Sequence, residues 1–493
     1  MNIKPGPVPC NALEAAGAGC SKFASCTNDD GVLTCACHAG FSGSGQYCAP
    51  VLQESQQAGP EPNAAVGFSV WHAGDINGDG FGDVIVGAPT ADGWVHGDKA
   101  GAVYIIYGQP GNDLPNLDLA NLQQYQGFTI PGIQTNGSLG YYVSGNFDFN
   151  KDGLSDFVIS SGFPHSPTLA PGSVYVVYGV STSANGLYPG MFNLSTLNGT
   201  NGFVIHGESS SDNFGISVAG LISVNGDQYD DLIIGASGWS NNTGAAFIIL
   251  GTNAALNPSY TIAELVNPTP GAPATLQVTA ILGAQPGDNF GASVNPAGDF
   301  NLDFLNDVII GANNANNGTG AAYVIYGRPT AMWYALFTVA TFKITDGVIF
   351  HGAQQGDQTG FSVAGAGTCS CFILQKCLHC KQILADINKD GYPDVLIGSH
   401  MASPLGYPYQ GAVYVLFGSS NVLPLVVNVA ALDGNSTLFC SFFFKRLFLG
   451  GAGNIGLIIA GADSNDRVGI AVSPGSDFNH DGYGGTPFLL LLQ

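Results

Sequence analysis

Apolar residues in this chain come in short runs bounded by Gly, Asn, Asp and Pro, and Val, Ile, Tyr and Phe dominate them. Val84-Ile-Val-Gly87-Ala-Pro89 is one such run; Asp307-Val-Ile-Ile-Gly311-Ala and Gly202-Phe203-Val-Ile205-His-Gly207 are others. Short runs of this composition predict strands joined by turns, so the chain reads as all-β.

The runs recur in a fixed order. A pair ending in Gly comes first: Val66-Gly67, Leu139-Gly140, Phe214-Gly215, Phe290-Gly291 and Val468-Gly469. Nine positions later an acidic loop opens, at Asp75, Asp148, Ser223, Asp299 and Asp477 respectively. An apolar run follows, then a segment such as Gly320-Ala-Ala-Tyr323-Val-Ile-Tyr326-Gly327, then a fourth run. Each repeat therefore offers four short strands. A lone four-stranded sheet cannot bury both faces, whereas radial packing of several can, so the expected fold is a β-propeller. No helical crossovers of a parallel sheet are visible in the pattern.

The loops carry the candidate chemistry. The fullest copies read D-x-N-x-D-G-x-x-D, and alternate oxygen-bearing side chains on a tight turn suit calcium, which takes six to eight oxygens. Copy one offers Asp75, Asn77, Asp79 and Asp83, with the backbone carbonyl of Phe81 at position seven. Copy two offers Asp148, Asn150, Asp152, Leu154 and Asp156; copy five offers Asp386, Asn388, Asp390, Tyr392 and Asp394. Copy four keeps Asp299, Asn301, Asp303, Leu305 and Asp307 but has Phe304 where the others have Gly. Copy three has Ser223 first, then Asn225, Asp227, Tyr229 and Asp231, with Gln228 at the glycine position. The last two copies are expected to bind more weakly. The expectation is about four to five structural Ca2+ sites. An EF-hand would need Glu at position twelve, where these loops carry Val86, Ile159 and Ile397.

Loop starts fall 73, 75, 76, 87 and 91 residues apart. Removing 368–385 restores the nine-residue offset in the fifth repeat, and removing 435–453 shortens the last gap. Together these segments hold five of the 11 cysteines and no acid, unlike the rest of the chain. We read both as unspliced intron or a similar misreading of the gene. The rival for the first is a zinc knuckle built on Cys369, Cys371, Cys377, His379 and Cys380. The sixth loop, from Asp477, has Gly485 at position nine, so the sixth repeat reads as incomplete.

Net charge is −23 with only 12 Lys and Arg, which argues against a nucleic-acid partner. The six loops hold 17 of the 35 Asp and Glu, so the acidity reads as ligand supply for cations. No run of 18 apolar residues marks a membrane span. Residues 1–9 lack the apolar core of a secretion signal.

Six cysteines crowd the first 50 residues: Cys10, Cys20, Cys26, Cys35, Cys37 and Cys48. So short a segment needs covalent staples, which implies an oxidising, extracellular compartment. Fifteen pairings are open by spacing, and a zinc site is an alternative. A Gln, Pro and Ala-rich stretch, 49–64, reads as a linker.

Two resemblances follow from these residues. The segment Cys35-Ala-Cys37-His-Ala-Gly40-Phe41-Ser-Gly43-Ser-Gly45-Gln-Tyr-Cys48 resembles the second half of an EGF-like domain, placed here at 10–48. That resemblance implies the pairs Cys10–Cys26, Cys20–Cys35 and Cys37–Cys48, and no calcium in this module because no acid precedes Cys10. Residues 65–493 resemble FG-GAP repeats of integrin α propellers, through Phe214-Gly215, Phe290-Gly291 and Gly87-Ala88-Pro89. This implies seven blades, cation cages between the first two strands of each, and a ligand surface at the opposite face.

The function expected is non-catalytic adhesion or ligand recognition outside the cell or at its surface. Its ligand would be a protein or glycan, with a partner subunit on the integrin analogy. The alternatives are the propeller portion of a glycosylphosphatidylinositol-phospholipase D-like enzyme whose catalytic domain is not in this sequence, or a structural matrix protein. No G-x-S-x-G, P-loop or H-E-x-x-H motif occurs. Sequons at Asn136, Asn193, Asn198, Asn241 and Asn317 fit a secreted glycoprotein. His206 and His351 share one repeat position and read as structural. Trp71 and Trp94 read as packing residues beside the first loop.

Overall fold

The structure, a computed structural model, describes residues 63–93, 99–109, 117–162, 171–181, 188–267, 276–333, 336–365 and 392–418 apart from 405 and 407. Shorter described stretches are 24–29, 32–37, 41–43, 48–50, 426–428, 436–438, 447–449, 456–460, 465–468 and 470–472. Cys10, Cys20, Trp94, the segment 368–385, the expected ligands Asp386, Asn388 and Asp390, and the loop from Asp477 lie outside them.

Two compact units divide at Ala58 and Gly59. In the first, Ala24–Asp29 pairs antiparallel with Val32–Cys37, and Phe41–Gly43 with Cys48–Pro50. The register sets Cys26 opposite Cys35, residues that the EGF-like resemblance assigns to separate bridges.

The second unit is all-β with a few short helices. Among the described residues five antiparallel sheets follow one another along the chain, each with four strands in sequence order. The first contains Ser69–Gly74, Asp83–Ala88, Ala102–Ile106 and Gly127–Pro131. The second contains Val143–Phe147, Asp156–Ser161, Ser173–Val177 and Gly202–His206. The third contains Phe214–Leu221, Asp231–Ala236, Ala245–Ile249 and Val278–Leu282. The fourth contains Phe290–Gly298, Asp307–Ala312, Ala321–Ile325 and Gly347–His351. The fifth contains Ser362–Gly365, Val395–Ser399, Ala412–Leu416 and Gly456–Ala460. These are the four runs per repeat expected from the sequence.

First strands of successive sheets lie against one another, the arrangement of inner strands in a β-propeller. Every sheet shares a core with each neighbour. On the second strand of sheet two, Phe157 and Ile159 pack toward sheet one while Val158 packs toward sheet three. Both faces of the strand are thus covered, which is why Phe157-Val-Ile159 is a continuous apolar run instead of an alternating one. At the outer face of sheet one, Val84 is 36% exposed, whereas its counterparts Phe157, Leu232, Val308 and Val395 are buried.

Glycines set the approach of neighbouring sheets. The carbonyl of Gly360 accepts from Ser293 Oγ in the preceding sheet at 2.9 Å, and its N–H donates to Gly398 O within its own at 3.0 Å. A Cβ built on Gly311 would collide with that carbonyl oxygen. The same contacts recur at Gly291 with Ser217 and Gly235, and at Gly140 with Ser69 and Gly87. The repeated glycine pairs are therefore packing surfaces between sheets.

The periodicity did not reveal the fifth strands. Ser259–Thr261, in the connection between the last two strands of sheet three, pairs parallel with Gly202–His206 of sheet two. Leu336–Thr338 and Val426–Asn428 do the same one and two sheets later. Each connection covers the edge of the sheet before it, and capping an edge removes a template for aggregation. Thr261 Oγ1 caps the short helix Ile262–Val266. On sheet five Leu447–Leu449 follows Gly456–Ala460 and Ser436–Leu438 forms the edge, both antiparallel and both inside the segment 435–453.

Candidate cation-binding loops

Each acidic loop connects the first two strands of its sheet, and its carboxylates hold the loop's own N–H groups. In loop one, Asp75 Oδ1 accepts from Gly78 at 2.8 Å and Asp79 at 3.1 Å, and Oδ2 accepts from Gly80 at 2.9 Å. Asn77 Oδ1 accepts from the Asp79 N–H while its Nδ2 donates to Asp79 Oδ2, both at 2.9 Å. Asp79 Oδ1 accepts from the Phe81 N–H at 2.9 Å. Short polar side chains that bond nearby backbone favour tight turns over regular structure.

Position nine ties the loop to the sheet. Asp83 Oδ2 accepts from Ile76 N–H at 3.0 Å, and Oδ1 from Gly108 N–H, just past the third strand, at 2.8 Å. The counterparts are Asp156 with Phe149 and Gly179, Asp231 with Val224 and Gly251, and Asp307 with Phe300 and Gly327. In loop five Gly418 donates to Asp394 Oδ1 at 3.1 Å. The glycine partner was not predicted, although Tyr107-Gly108, Tyr178-Gly179 and Tyr326-Gly327 advertise it by recurrence.

All five position-nine carboxylates are fully buried. Burial raises the pKa of Asp83 to about 7, partly offset by the Gly108 and Ile76 N–H groups and reinforced by Asp79 and Asp75. Burial takes Asp231 to about 7 as well, and lifts Asp156 and Asp307 well above the ordinary range. Among the described residues no cation offsets that burial at Asp83, Asp156, Asp231 or Asp307.

Loops two and four repeat the network of loop one around Asn150, Asp152 and Leu154, and around Asn301, Asp303 and Leu305. Asp148 and Asp299 close their turns as Asp75 does. In loop three Ser223 has no carboxylate to receive those N–H groups; its Oγ donates to Asn225 Oδ1 at 2.8 Å. Asn225, Asp227 and Tyr229 keep the remaining bonds. Gly80 and Gly153 have φ of +88° and +89°, and Phe304 adopts +73° in their place.

Among the described residues no three His, Cys, Asp or Glu side chains form a ready metal-holding group. The donors assembled are all oxygens, from carboxylates, an amide and a carbonyl, which is the set a hard cation takes.

The loops also contact one another. Ser155 N–H donates to Asp75 O at 3.0 Å and Val180 N–H to Ile76 O at 2.9 Å, joining sheets one and two. Asp230 with Asp148, and Thr252 with Phe149, join the next pair.

The other predicted residues lie apart from the loops' interiors. Asn136, Asn241 and Asn317 are exposed in connections at the opposite ends of the sheets. Asn198 is exposed and Asn193 half-buried in the long connection of sheet two, at the loop end. His206 Nδ1 bonds Ser173 Oγ at 2.9 Å, and His351 Nδ1 bonds Asn316 Nδ2 at 2.7 Å. Trp71 packs against the core shared by sheets one and two. Among the described residues no helix is long and apolar enough to cross a membrane.

Sequential four-stranded sheets sharing cores on both faces, each with an acidic loop after its first strand, define a repeat protein of the kind consistent with a β-propeller. The FG-GAP repeat family model matches residues 72–106 and 384–416, so the chain carries FG-GAP repeats. Over 123 residues, 24% of the chain, it is 42% identical to phosphatidylinositol-glycan-specific phospholipase D of Rattus norvegicus. It is 27% identical to integrin alpha-V of Gallus gallus over 53% of the chain, and 25% identical to integrin alpha pat-2 of Caenorhabditis briggsae over 74%. The chain spans 14%, 20% and 24% of the length of these relatives, respectively.

Proposed function

We propose that the chain is a non-catalytic recognition protein acting outside the cell or at its surface, built on a β-propeller whose loops are stapled by calcium. One observation carries the reading: the same oxygen network is rebuilt in loops one, two and four, around position-nine carboxylates that are buried with no cation acting on them among the described residues. A divalent ion bound by Asp75, Asn77, Asp79, Phe81 O and Asp83, and by their counterparts, would supply the missing charge. The integrin likeness favours a protein or glycan ligand and a partner subunit. The cysteine-rich first unit and the sequons fit an oxidising, glycosylating compartment. The likeness to a phospholipase D leaves an enzymatic context as the second reading, in which the repeats would serve a catalytic domain.

Calorimetric titration of chelator-stripped protein with calcium tests the first claim. We expect about four to five sites and a rise in melting temperature of several degrees. At a hundredfold excess over Kd each site adds ~2.7 kcal/mol. No heat of binding and an unchanged melt would overturn it.

A further inference from the structure

A second feature lies at the other end of sheet four, away from its acidic loop. A pocket of about 430 Å³ opens there, between the connection 284–288 and the turn 314–317. Ligand pockets fall in the range of roughly 300–1,000 Å³.

The pocket exists because of particular residues. Sheets three and four are in the same register, with Gly235 opposite Ala246 and Gly311 opposite Ala322. This aligns Trp239 with Ala315, Phe247 with Tyr323, and Leu282 with His351. In sheet three the Trp239 indole occupies the corresponding place, edge-on to Phe247 at 5.2 Å and, like Leu282, packed against the core shared with sheet two. In sheet four the indole is replaced by a methyl group. The apolar Phe and Leu are replaced by a phenol and an imidazole. One substitution opens the space and two make it polar.

The lining then limits the occupant. Asn316 and His351 are joined at 2.7 Å, so if the amide donates to Nδ1 the ring carries its proton on Nε2. Burial lowers the His351 pKa, which keeps the ring neutral at neutral pH. Asp288 already accepts from the Gln285 N–H at 3.0 Å, and the pocket contains no Lys or Arg. Anions therefore find no counter-charge, while amides, an imidazole and a phenol over an apolar floor offer both donors and acceptors.

We propose that this pocket binds a neutral, hydroxyl-rich ligand the size of one sugar ring, held by Asn316, Tyr323 and His351. It gives the recognition reading a ligand class and needs no cation in the loops, so calcium titration and sugar binding can fail separately.

The test is saturation-transfer NMR on the full chain with free glucose, galactose, mannose and N-acetylglucosamine. Binding of at least one is expected, with the Kd from a saturation-transfer titration weakened at least ~tenfold, about 1.4 kcal/mol, by Ala315→Trp, which places the sheet-three indole in the pocket. An unchanged melting temperature would show that Ala315→Trp folds. Should it not fold, His351→Leu, the sheet-three residue, is the second variant and should weaken the same signal. Capture of a glycoprotein, but not of its enzymatically deglycosylated form, would identify a partner's glycan as the source of the sugar. Absence of transfer from all four sugars, or transfer that survives both folded variants, would overturn the proposal.

Discussion

Asp230 and Asp148 bind each other across two sheets. The Asp148 N–H donates to Asp230 Oδ2 at 2.9 Å, and the Asp230 N–H donates back to Asp148 O at 3.2 Å. Asp148 opens the second acidic loop and Asp230 sits at position eight of the third, so the two loops are one structure. Ser155 plays half of this role one sheet earlier, through its backbone alone. The seam between sheets two and three therefore has an additional charge-assisted bond.

Replacing Asp230 with Ala removes that bond and leaves the Asp148 N–H without its acceptor. Hydrogen bonds to charged groups contribute roughly 1.5–3 kcal/mol, so a loss of that order is expected in urea melts. Amide exchange at Asp148 should accelerate while exchange in loop one stays unchanged. An Asp148 amide as protected as in the native chain would show that the bond does not hold the seam.

Phe304 takes the turn position that Gly80 and Gly153 hold, at φ +73° and with 94% of its surface exposed. A side chain in the left-handed region costs roughly 1–2 kcal/mol, and an exposed ring recovers little of it by packing. Phe304→Gly should therefore stabilise the protein by about 1 kcal/mol and, on the calcium proposal, tighten the cation site of loop four. A drop in melting temperature would mean that the ring has a contact worth more than the strain.

Gly311→Ala should do the opposite. Its methyl would meet the Gly360 carbonyl, which is fixed by Ser293 and Gly398. Overpacking of a close contact costs typically ~1–3 kcal/mol. Thermal unfolding of the variant measures this directly, and an unshifted transition would refute the claim that the glycine pair sets the spacing of the sheets.

His400 gives a pH dependence of known sign. Its ring lies 4.0 Å from the Phe361 ring and is buried, with Nδ1 unpartnered. Burial, and then the Arg467 charge, lower its pKa to about 4. The unfolded chain, near 6.5, takes up the proton first as pH falls. Its stabilising contribution is whole above about 6.5 and is lost as the pH drops toward 4. Urea midpoints of native protein and His400→Phe should diverge less at pH 7 than at pH 4.5, with the variant the less acid-sensitive. Parallel pH profiles would contradict this.

Much of this was legible in the chain because repetition multiplies weak signals. One Asp-Gly turn means little, but loops at a fixed nine-residue offset from Val66, Leu139, Phe214 and Phe290 located the first two strands of four sheets and the acidic loop between them. Local chemistry also sufficed to mark Phe304 and Ser223 as departures, since each breaks a pattern visible in its neighbours. Short-range rules reach that far because turns and strands are set by residues close in sequence.

Contacts between sheets had to come from the tertiary structure. That Asp83 reaches Gly108, that Asp230 grips Asp148, and that Ser259–Thr261 pairs with the preceding sheet all depend on groups 25 to 82 residues apart being brought together by shared cores. Nor does the sequence show a cavity. Ala315 is unremarkable in the chain and becomes informative only when register places it where Trp239 fills the adjacent sheet. Hydrophobic pattern decides which faces must be covered; packing geometry decides what covers them and what is left open.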